Sequence, residues 1–389
     1  MTPFNYSTNL SEITGVNIFF KLECFQKTGS FKFRGAYNKL FSNKERLSNG
    51  VITASAGNHA QGVALASKKL GIDCTVVMPE RAPLPKISAT RGYGSKILLQ
   101  GEGYDEAFAK ANKICDKEGK TFIPAFDDYE VIAGQGTIAL EIFEETNDID
   151  VILVPVGGGG LISGIATYIK EKNPKVKVVG VQTNKINPVA KGHKTNENAI
   201  KEEWVSKPDE EVRTIADGIA VKKPGKKTMP IINRYVDDMV SVAEEDIAEA
   251  ILLLLERNKI MVEGAGAVGL AALLKGELEV DGKNLVAVLS GGNIDVNMIS
   301  RIIQRGLAKA GRITRIYTVV YDKPGALKNI LNLISDTGAN ILSIQHIRKD
   351  PRLSLGMVGV DFDLETRDEE HINKLIDYLK TQGYKVQRK

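Results

Sequence analysis

The sequence predicts an α/β fold, a body of parallel strand–helix units followed by a small C-terminal domain of βαββαβ order. Three observations carry that prediction. Short apolar runs alternate with helical patterns over roughly the first 310 residues, as in parallel α/β units. Residues 151–156 are a continuous apolar run bounded by glycine, the pattern of a strand buried on both faces, and residues 176–181 read as another buried strand. Around Gly311 the order of elements changes to that of a split ferredoxin-like unit of about 75 residues.

Asn17–Leu22 reads as the first strand, and residues 30–41 as a helix leading to a short strand at 50–54. Residues 58–69 form a helix with Ala60, Val63, Ala64 and Ser67 on one face, stopped by Gly71. Cys74–Met78 is a strand ending at Pro79, residues 85–90 start a helix, and Lys96–Leu99 is a strand. Tyr104–Glu118 is helical, and a helix over 136–145 follows a Gly-rich turn. After the strand at 151–156 come a helix at 161–172 and the strand at 176–181. Residues 184–230 are rich in Lys, Pro and Asn and read as irregular surface structure with a turn near Asp217-Gly218. Helices at 244–257 and 265–274 precede a last buried strand at 285–289 and a helix at 295–310. The tail then reads strand 316–321, helix 325–337, strand Asn340–Ile347, strand 355–364, helix Glu369–Thr381 and strand 384–387. These boundaries give two domains, 1–311 and 314–389.

Hydrophobic residues make up 43% and charged residues 26%, which excludes disorder over most of the chain. The longest apolar runs fall far short of the roughly 20 residues a bilayer requires, so no membrane partner is expected. Lys+Arg 52 against Asp+Glu 48 gives +4, and the charges are interspersed, so no nucleic-acid partner is expected. Cys24, Cys74 and Cys115 lack C-x-x-C spacing, which points to a reducing compartment. His59, His193, His346 and His371 stand far apart, so no metal site is expected. The polar opening Met1–Leu10 carries no signal peptide, and a cytoplasmic protein is expected.

Gly157-Gly158-Gly159-Gly160 lies between a buried strand and the helix that opens at Leu161. Without Cβ atoms the backbone N–H groups can close around an anion, and the helix adds its N-terminal dipole, so this reads as a phosphate cradle. It lacks the Lys-Ser/Thr of a nucleotide-triphosphate loop. Gly264-Ala-Gly-Ala-Val-Gly269 fits the dinucleotide fingerprint in letters, but the preceding strand is too short and Asp281 falls in a turn; close helix packing is the better reading. Lys32 sits among apolar neighbours (Ser30-Phe31-Lys32-Phe33) at a helix start, where desolvation can lower its pKa as a Schiff-base amine requires; taken alone it also fits a surface lysine. Ser55-Ala56-Gly57-Asn58-His59 and Ser290-Gly-Gly-Asn293 are further turns after strands, and together the turns suggest one ligand site at strand C-termini.

These motifs carry a resemblance. Residues 21–36, Ser55–Gly62, Gly134-Gln-Gly-Thr137, the four-glycine loop, Glu263–Ala267 and Ser290–Asn293 occur in one order and resemble the threonine dehydratases. That family has a two-subdomain parallel-sheet fold (fold type II) and uses pyridoxal phosphate. Asp322-Lys-Pro-Gly-Ala-Leu327 after the first strand of the tail is similar to an ACT domain, an amino-acid-sensing module. The resemblance implies that Lys32 binds the cofactor and removes the α-proton, and that Gly157, Gly158, Gly159, Gly160 and Leu161 hold its phosphate. It implies that Asn58 bonds the ring hydroxyl, that Phe31 and Glu263 lie near the ring, and that Ser290 faces the pyridine nitrogen. A neutral hydroxyl there makes the ring a weaker electron sink than a carboxylate would, which favours loss of the β-hydroxyl over a long-lived carbanion. Ser55, Ala56, Gly57, Asn58 and His59 would receive the substrate carboxylate. Glu263 fits a structural helix cap equally well.

Serine racemases resemble the chain too, but carry a second Ser where this chain has Ala56, which supplies no proton donor opposite the lysine. Cation-dependent relatives have acids where this chain has Gln182 and Asn187, which speaks against a magnesium site. The family's N-terminal helix is expected to be short or absent. The first function expected is conversion of L-threonine to 2-oxobutanoate and ammonia, with serine as a poorer substrate. The alternatives are a serine dehydratase or racemase, and a catalytically inactive amino-acid sensor. The tail is expected to bind an amino acid, or in a catabolic enzyme a nucleotide, near Asp322, Pro324, Gly325, Leu327, Asn340 and Ile341, where two tails pair in a homodimer or homotetramer.

Overall fold

The computed structural model describes residues 1–193, 214–276, 278–280, 283–349, 351 and 353–389. The chain forms two compact units, Met1–Asp295 and Val296–Lys389.

In the first unit, strands β1 (Phe4–Tyr6) and β2 (Asn17–Leu22) flank helix α1 (Thr8–Thr14). After helix α2 (Lys32–Ser42) the chain builds a separate four-stranded parallel sheet. This contains β3 (Val51–Ala54), β4 (Cys74–Met78), β5 (Lys96–Leu99) and β6 (Thr121–Phe122), in the order β5-β4-β3-β6. Helices α3 (Asn58–Leu70), α4 (Leu84–Gly92) and α5 (Tyr104–Glu118) connect its strands.

Helix α6 (Tyr129–Glu145) leads back to the first sheet through β7 (Val151–Pro155), α7 (Gly160–Lys172) and β8 (Lys177–Thr183). With β9 (Asp238–Val242) and β10 (Asn284–Leu289) the first sheet has six strands, ordered β1-β2-β10-β7-β8-β9. All its pairs are parallel except β1–β2. Strands β3, β4 and β7 are buried throughout, which is why β7 is an unbroken apolar run and β3 and β4 are apolar but for one threonine each.

Three readings of the sequence are corrected here. Helix α6 begins seven residues before the expected start at 136, because Asp128 caps it by accepting from the N–H groups of Glu130 (3.0 Å) and Val131 (3.2 Å). Its glycines are not a turn. A Cβ on Gly134 would lie 2.6 Å from Gly35 Cα, and one on Gly136 would lie 2.9 Å from Gly164 O. They let α2, α6 and α7 approach backbone to backbone. Residues 184–230 are not wholly irregular: they contain α8 (Pro188–Gly192), a turn at Asp217–Ile219 and the start of α9 (Thr228–Tyr235), while residues 194–213 and Asp281 lie outside the described residues. The helix read over 244–257 is α10 (Glu244–Leu253) continued by a π turn at Leu254–Asn258. Helix α11 (Gly264–Leu274) completes this unit, and its Gly266 would place a Cβ 2.6 Å from Gly291 O, the close packing expected of that motif.

The second unit opens with α12 (Val296–Lys309). It continues as β11 (Ile313–Tyr321), α13 (Ala326–Asp336), β12 (Asn340–Ile347), β13 (Met357–Glu365), α14 (Glu369–Thr381) and β14 (Val386–Arg388). Its antiparallel sheet runs β12-β13-β11-β14. Ile316, Val360, Phe362, Leu364, Ile330, Ile334, Leu375 and Leu379 form its core. Among the described residues no helix is long and apolar enough to cross a membrane.

Candidate active site

The glycine loop follows β7, and Gly159 takes φ +94 as it enters α7. Only glycine fits this loop. A Cβ on Gly158 would lie 2.5 Å from the Phe126 ring, and one on Gly160 would lie 2.9 Å from Phe126 Cα. Thr228 Oγ1 (2.7 Å) and Gly225 N–H (3.2 Å) both donate to Gly158 O and fix the loop from outside. Among the described residues no group accepts from the N–H groups of Gly157, Gly158, Gly159, Gly160 or Leu161. A run of unclaimed N–H groups at a helix start fits a phosphate.

Lys32 is the first residue of α2 and is half-buried. Its Nζ donates to Ala125 O at 3.0 Å and lies 5.0 Å from the centre of the Phe31 ring. Burial lowers its pKa to about 8, against a smaller opposing pull from Glu263. A larger fraction of it is therefore a free amine at neutral pH than of an exposed lysine. The loop before it is sewn to the end of β10: Phe31 N–H donates to Ser290 O (3.1 Å) and Gly292 N–H to Gly29 O (2.8 Å).

The turn Ser55–His59 leads from β3 into α3. Gly57 N–H donates to Ser55 Oγ (3.2 Å), while among the described residues the N–H groups of Ala56, Asn58, His59 and Ala60 reach no acceptor. A carboxylate fits that turn as a phosphate fits the other. His59 is buried, with Nε2 2.9 Å from Ile123 O. Burial and then the nearby Lys32 push its pKa down to about 3, so it is neutral and its Nε2–H donates to that carbonyl.

Glu263 stands at the N-cap of α11, yet its side chain does not cap the helix. It accepts from Asn58 Nδ2 at 2.8 and 3.1 Å. Burial raises its pKa to about 7 in spite of that bond. Ser290 is 2% exposed and its Oγ makes a long 3.4 Å bond to Ala265 O. Ser30 Oγ, buried beside Gly291, has no partner among the described residues.

Sequence reasoning missed two parts of this arrangement. The segment Ile123–Asp127 runs along the whole site: Ile123 O takes His59, Ala125 O takes Lys32, and Phe126 lies on the glycine loop. Backbone carbonyls leave no mark in a sequence. The other is a buried ion cluster behind Lys32. Arg34 pairs with Glu23 (2.8 Å) and Glu141 (2.6 Å), Lys21 pairs with Glu141 (2.6 Å), and Thr2 bonds both acids. Burial alone would raise the Glu141 carboxyl, but Arg34 and Lys21 outweigh it and hold it at about 2. Charged residues inside the motif Lys21–Ala36 were the available signal. Gln182 is likewise internal, donating to Val156 O (3.1 Å) and accepting from Ala190 N–H (2.9 Å).

In the second unit Asp322 pairs with Arg348 at 3.2 Å, and Gly325 takes φ +87 at the start of α13, just after Pro324. Leu327 packs on the core, while Asn340 and Ile341 open the edge strand β12. The β11–β13–β12 register aligns Asn340 with Ile313 through Glu365, eight residues from Tyr321. At about 3.4 Å per residue the two groups stand roughly 27 Å apart, at opposite ends of the sheet.

Residues 1–291 match the family described as pyridoxal-phosphate dependent enzyme, and residues 310–383 match the ACT domain family. The chain is 51% identical over 387 residues to an L-threonine ammonia-lyase of Thermotoga maritima, covering 99% of this chain and 94% of that protein. Among solved structures it is similar to the processed form of threonine deaminase isoform 2 from Solanum lycopersicum (TM-score 0.71, 39% identity, 78% of this chain and 87% of that one). It is also similar to maize serine racemase (TM-score 0.72, 34% identity, 79% of this chain and 93% of that one).

Proposed function

The chain belongs to the pyridoxal-phosphate-dependent enzymes and carries an ACT domain, and on that premise we propose that it is a threonine ammonia-lyase, releasing 2-oxobutanoate and ammonia from L-threonine. The observation that carries this reading is one segment, Ile123–Asp127. It ties a lysine of lowered pKa to two turns whose N–H groups are unclaimed, one suited to a phosphate and one to a carboxylate.

When bound, pyridoxal phosphate supplies a sink for the electron pair left at the substrate's α-carbon. Gly157–Leu161 would hold its phosphate by their N–H groups, and Phe31 and Asn58 would hold its ring, Asn58 at the ring oxygen. Lys32 would hold it through Nζ, and as a free amine the same atom would take the α-proton. Ser55, Ala56, Gly57, Asn58 and His59 orient the substrate carboxylate. Ser290 would offer the pyridine nitrogen a neutral hydroxyl, which would favour departure of the β-hydroxyl. Ala56 offers no acid on the face opposite Lys32, so elimination is favoured over racemisation. Serine is the poorer substrate in this reading, although one methyl in a pocket is worth only about 1–3 kcal/mol.

The catalytic domain is assigned to residues 1–311 and the regulatory domain to 314–389. In a cytoplasmic homodimer or homotetramer, a second copy pairing antiparallel along β12 would bring its residues 340–341 to the Asp322–Leu327 end of the first. That completes an effector site neither copy holds alone, and an amino acid such as isoleucine fits it. The test is 2-oxo acid release from the pyridoxal-phosphate-loaded protein with L-threonine, with and without L-isoleucine. Release suppressed by isoleucine supports both assignments. No release from threonine or serine would sink the lyase.

A further inference from the structure

Asn58 is bonded on both ends of its amide. Its Nδ2 donates to Glu263 at 2.8 and 3.1 Å, and its Oδ1 accepts from Asn293 Nδ2 at 2.8 Å. Asn293 Nδ2 also donates to Thr28 O at 2.8 Å. Thr28 O can only accept, so the Asn293 nitrogen must face it, and therefore the oxygen of Asn58 must face Asn293. The nitrogen of Asn58 is left for Glu263. Spatial crowding locks the relay: a Cβ on Gly291 would lie 2.5 Å from Glu263 Oε1, and Gly29 packs on the Asn293 amide.

We propose that Glu263 is a positioning residue for the cofactor: with Asn293 it fixes the Asn58 amide so that its nitrogen, with one hydrogen unspent, is what the cofactor's ring oxygen meets. This rests on the reading that Lys32 and Asn58 bind pyridoxal phosphate. An amide nitrogen has two hydrogens, and Glu263 takes one. A donor at the ring oxygen favours its ionised form, whereas a reversed amide would present an oxygen and favour the protonated one. Glu263 is thus given work that its N-cap position does not explain, since its carboxylate accepts no N–H of α11. The charged and titratable groups facing it are Lys32 from α2, Lys86 from α4, Asp217 from the following turn and Cys24 from the end of β2.

The test loads the full chain and its Glu263→Ala and Glu263→Gln variants with pyridoxal phosphate. It reads the dissociation constant by equilibrium dialysis and the visible absorption of the lysine-bound cofactor against pH. Glu263→Ala leaves the Asn293 bond but removes the acceptor that holds the amide nitrogen in place: binding should weaken about tenfold, the cost of one charge-assisted bond, and the absorption should shift towards the form protonated on the ring oxygen. Glu263→Gln still offers an acceptor to Asn58 and should stay within about threefold of the parent. A Glu263→Ala protein with parental affinity and an unmoved pH profile overturns the proposal while leaving the enzyme assignment intact. Should that variant fail to fold, Asn293→Ala reads the relay from its other end, with the same shift expected and an unmoved profile again overturning it. A parent chain that takes up no cofactor on Lys32 would overturn the enzyme reading and this proposal together, a result distinct from the others.

Discussion

His59 is neutral in the folded protein because burial and the amine of Lys32 both oppose a proton there. Its folded pKa of about 3 lies below the ordinary histidine value of 6.5, so below about pH 6.5 the unfolded chain binds a proton that the folded chain refuses. Its contribution therefore falls as pH drops from 6.5 towards 3, by about 1.4 kcal/mol per unit. Glu263 has the opposite sign: raised from 4.5 to about 7, it favours the folded state less as pH rises through that window. The parent's pH curve mixes the two, so the informative quantity is a difference. His59→Gln keeps a donor for Ile123 O and should lose less stability between pH 7 and pH 5 than the parent, read from urea midpoints; equal losses would refute the neutral-histidine reading. At Lys32 the corresponding window lies between about 8 and 10.5, with stability rising as pH rises. The same lowered value predicts that the rate of cofactor attachment climbs with pH up to about 8 and then levels. Lys32→Ala should abolish the visible absorption of attached cofactor and, with it, measurable 2-oxo acid release.

Helices α2, α6 and α7 meet through glycine at Gly35, Gly134, Gly136 and Gly164, and this crossing sets where Lys32 and the glycine loop stand. A Cβ on Gly164 would fall on Ile132 O, a backbone atom that cannot turn away. Gly164→Val should therefore cost more than about 3 kcal/mol in urea unfolding. Gly57→Ala, where a Cβ meets nothing within 4 Å, should stay within about 0.5 kcal/mol. A tolerant Gly164 would mean that the crossing does not set the fold. The same glycines explain what the sequence hid. Strands such as β4 and β7 were legible because burial on both faces writes a short, mostly apolar run. Gly134 and Gly136 were misread because a helix breaker and a helix-crossing residue are the same letter, and only the partner helix tells them apart. Strands β1 and β9 are short edge strands with mixed exposure, too brief to show a period. Of the site, the side chains at strand ends were visible as motifs, whereas the carbonyls of Ile123 and Ala125 and the Phe126 ring over the loop were not.

In the second unit, β12 is an edge strand whose Leu342 and Ile344 are 50% and 42% exposed, although its partner β13 is largely buried. An eight-residue edge with unpaired backbone groups and exposed aliphatic side chains is a template for another strand. A second copy of this chain would supply one of matching length. In the proposed pairing regulation depends on assembly, because within one copy the register sets residues 322–327 and 340–341 at opposite ends of the sheet. Ile344→Lys places a charge on that edge without touching any residue of the proposed catalytic site. The variant should sediment as a smaller species and lose suppression by isoleucine together, with basal 2-oxo acid release unchanged. Loss of association with suppression intact would show that one copy suffices for the effector. Loss of suppression with association intact would place the effector contact on Ile344 itself. Only the coupled loss is consistent with an effector site built from both ends of two paired sheets.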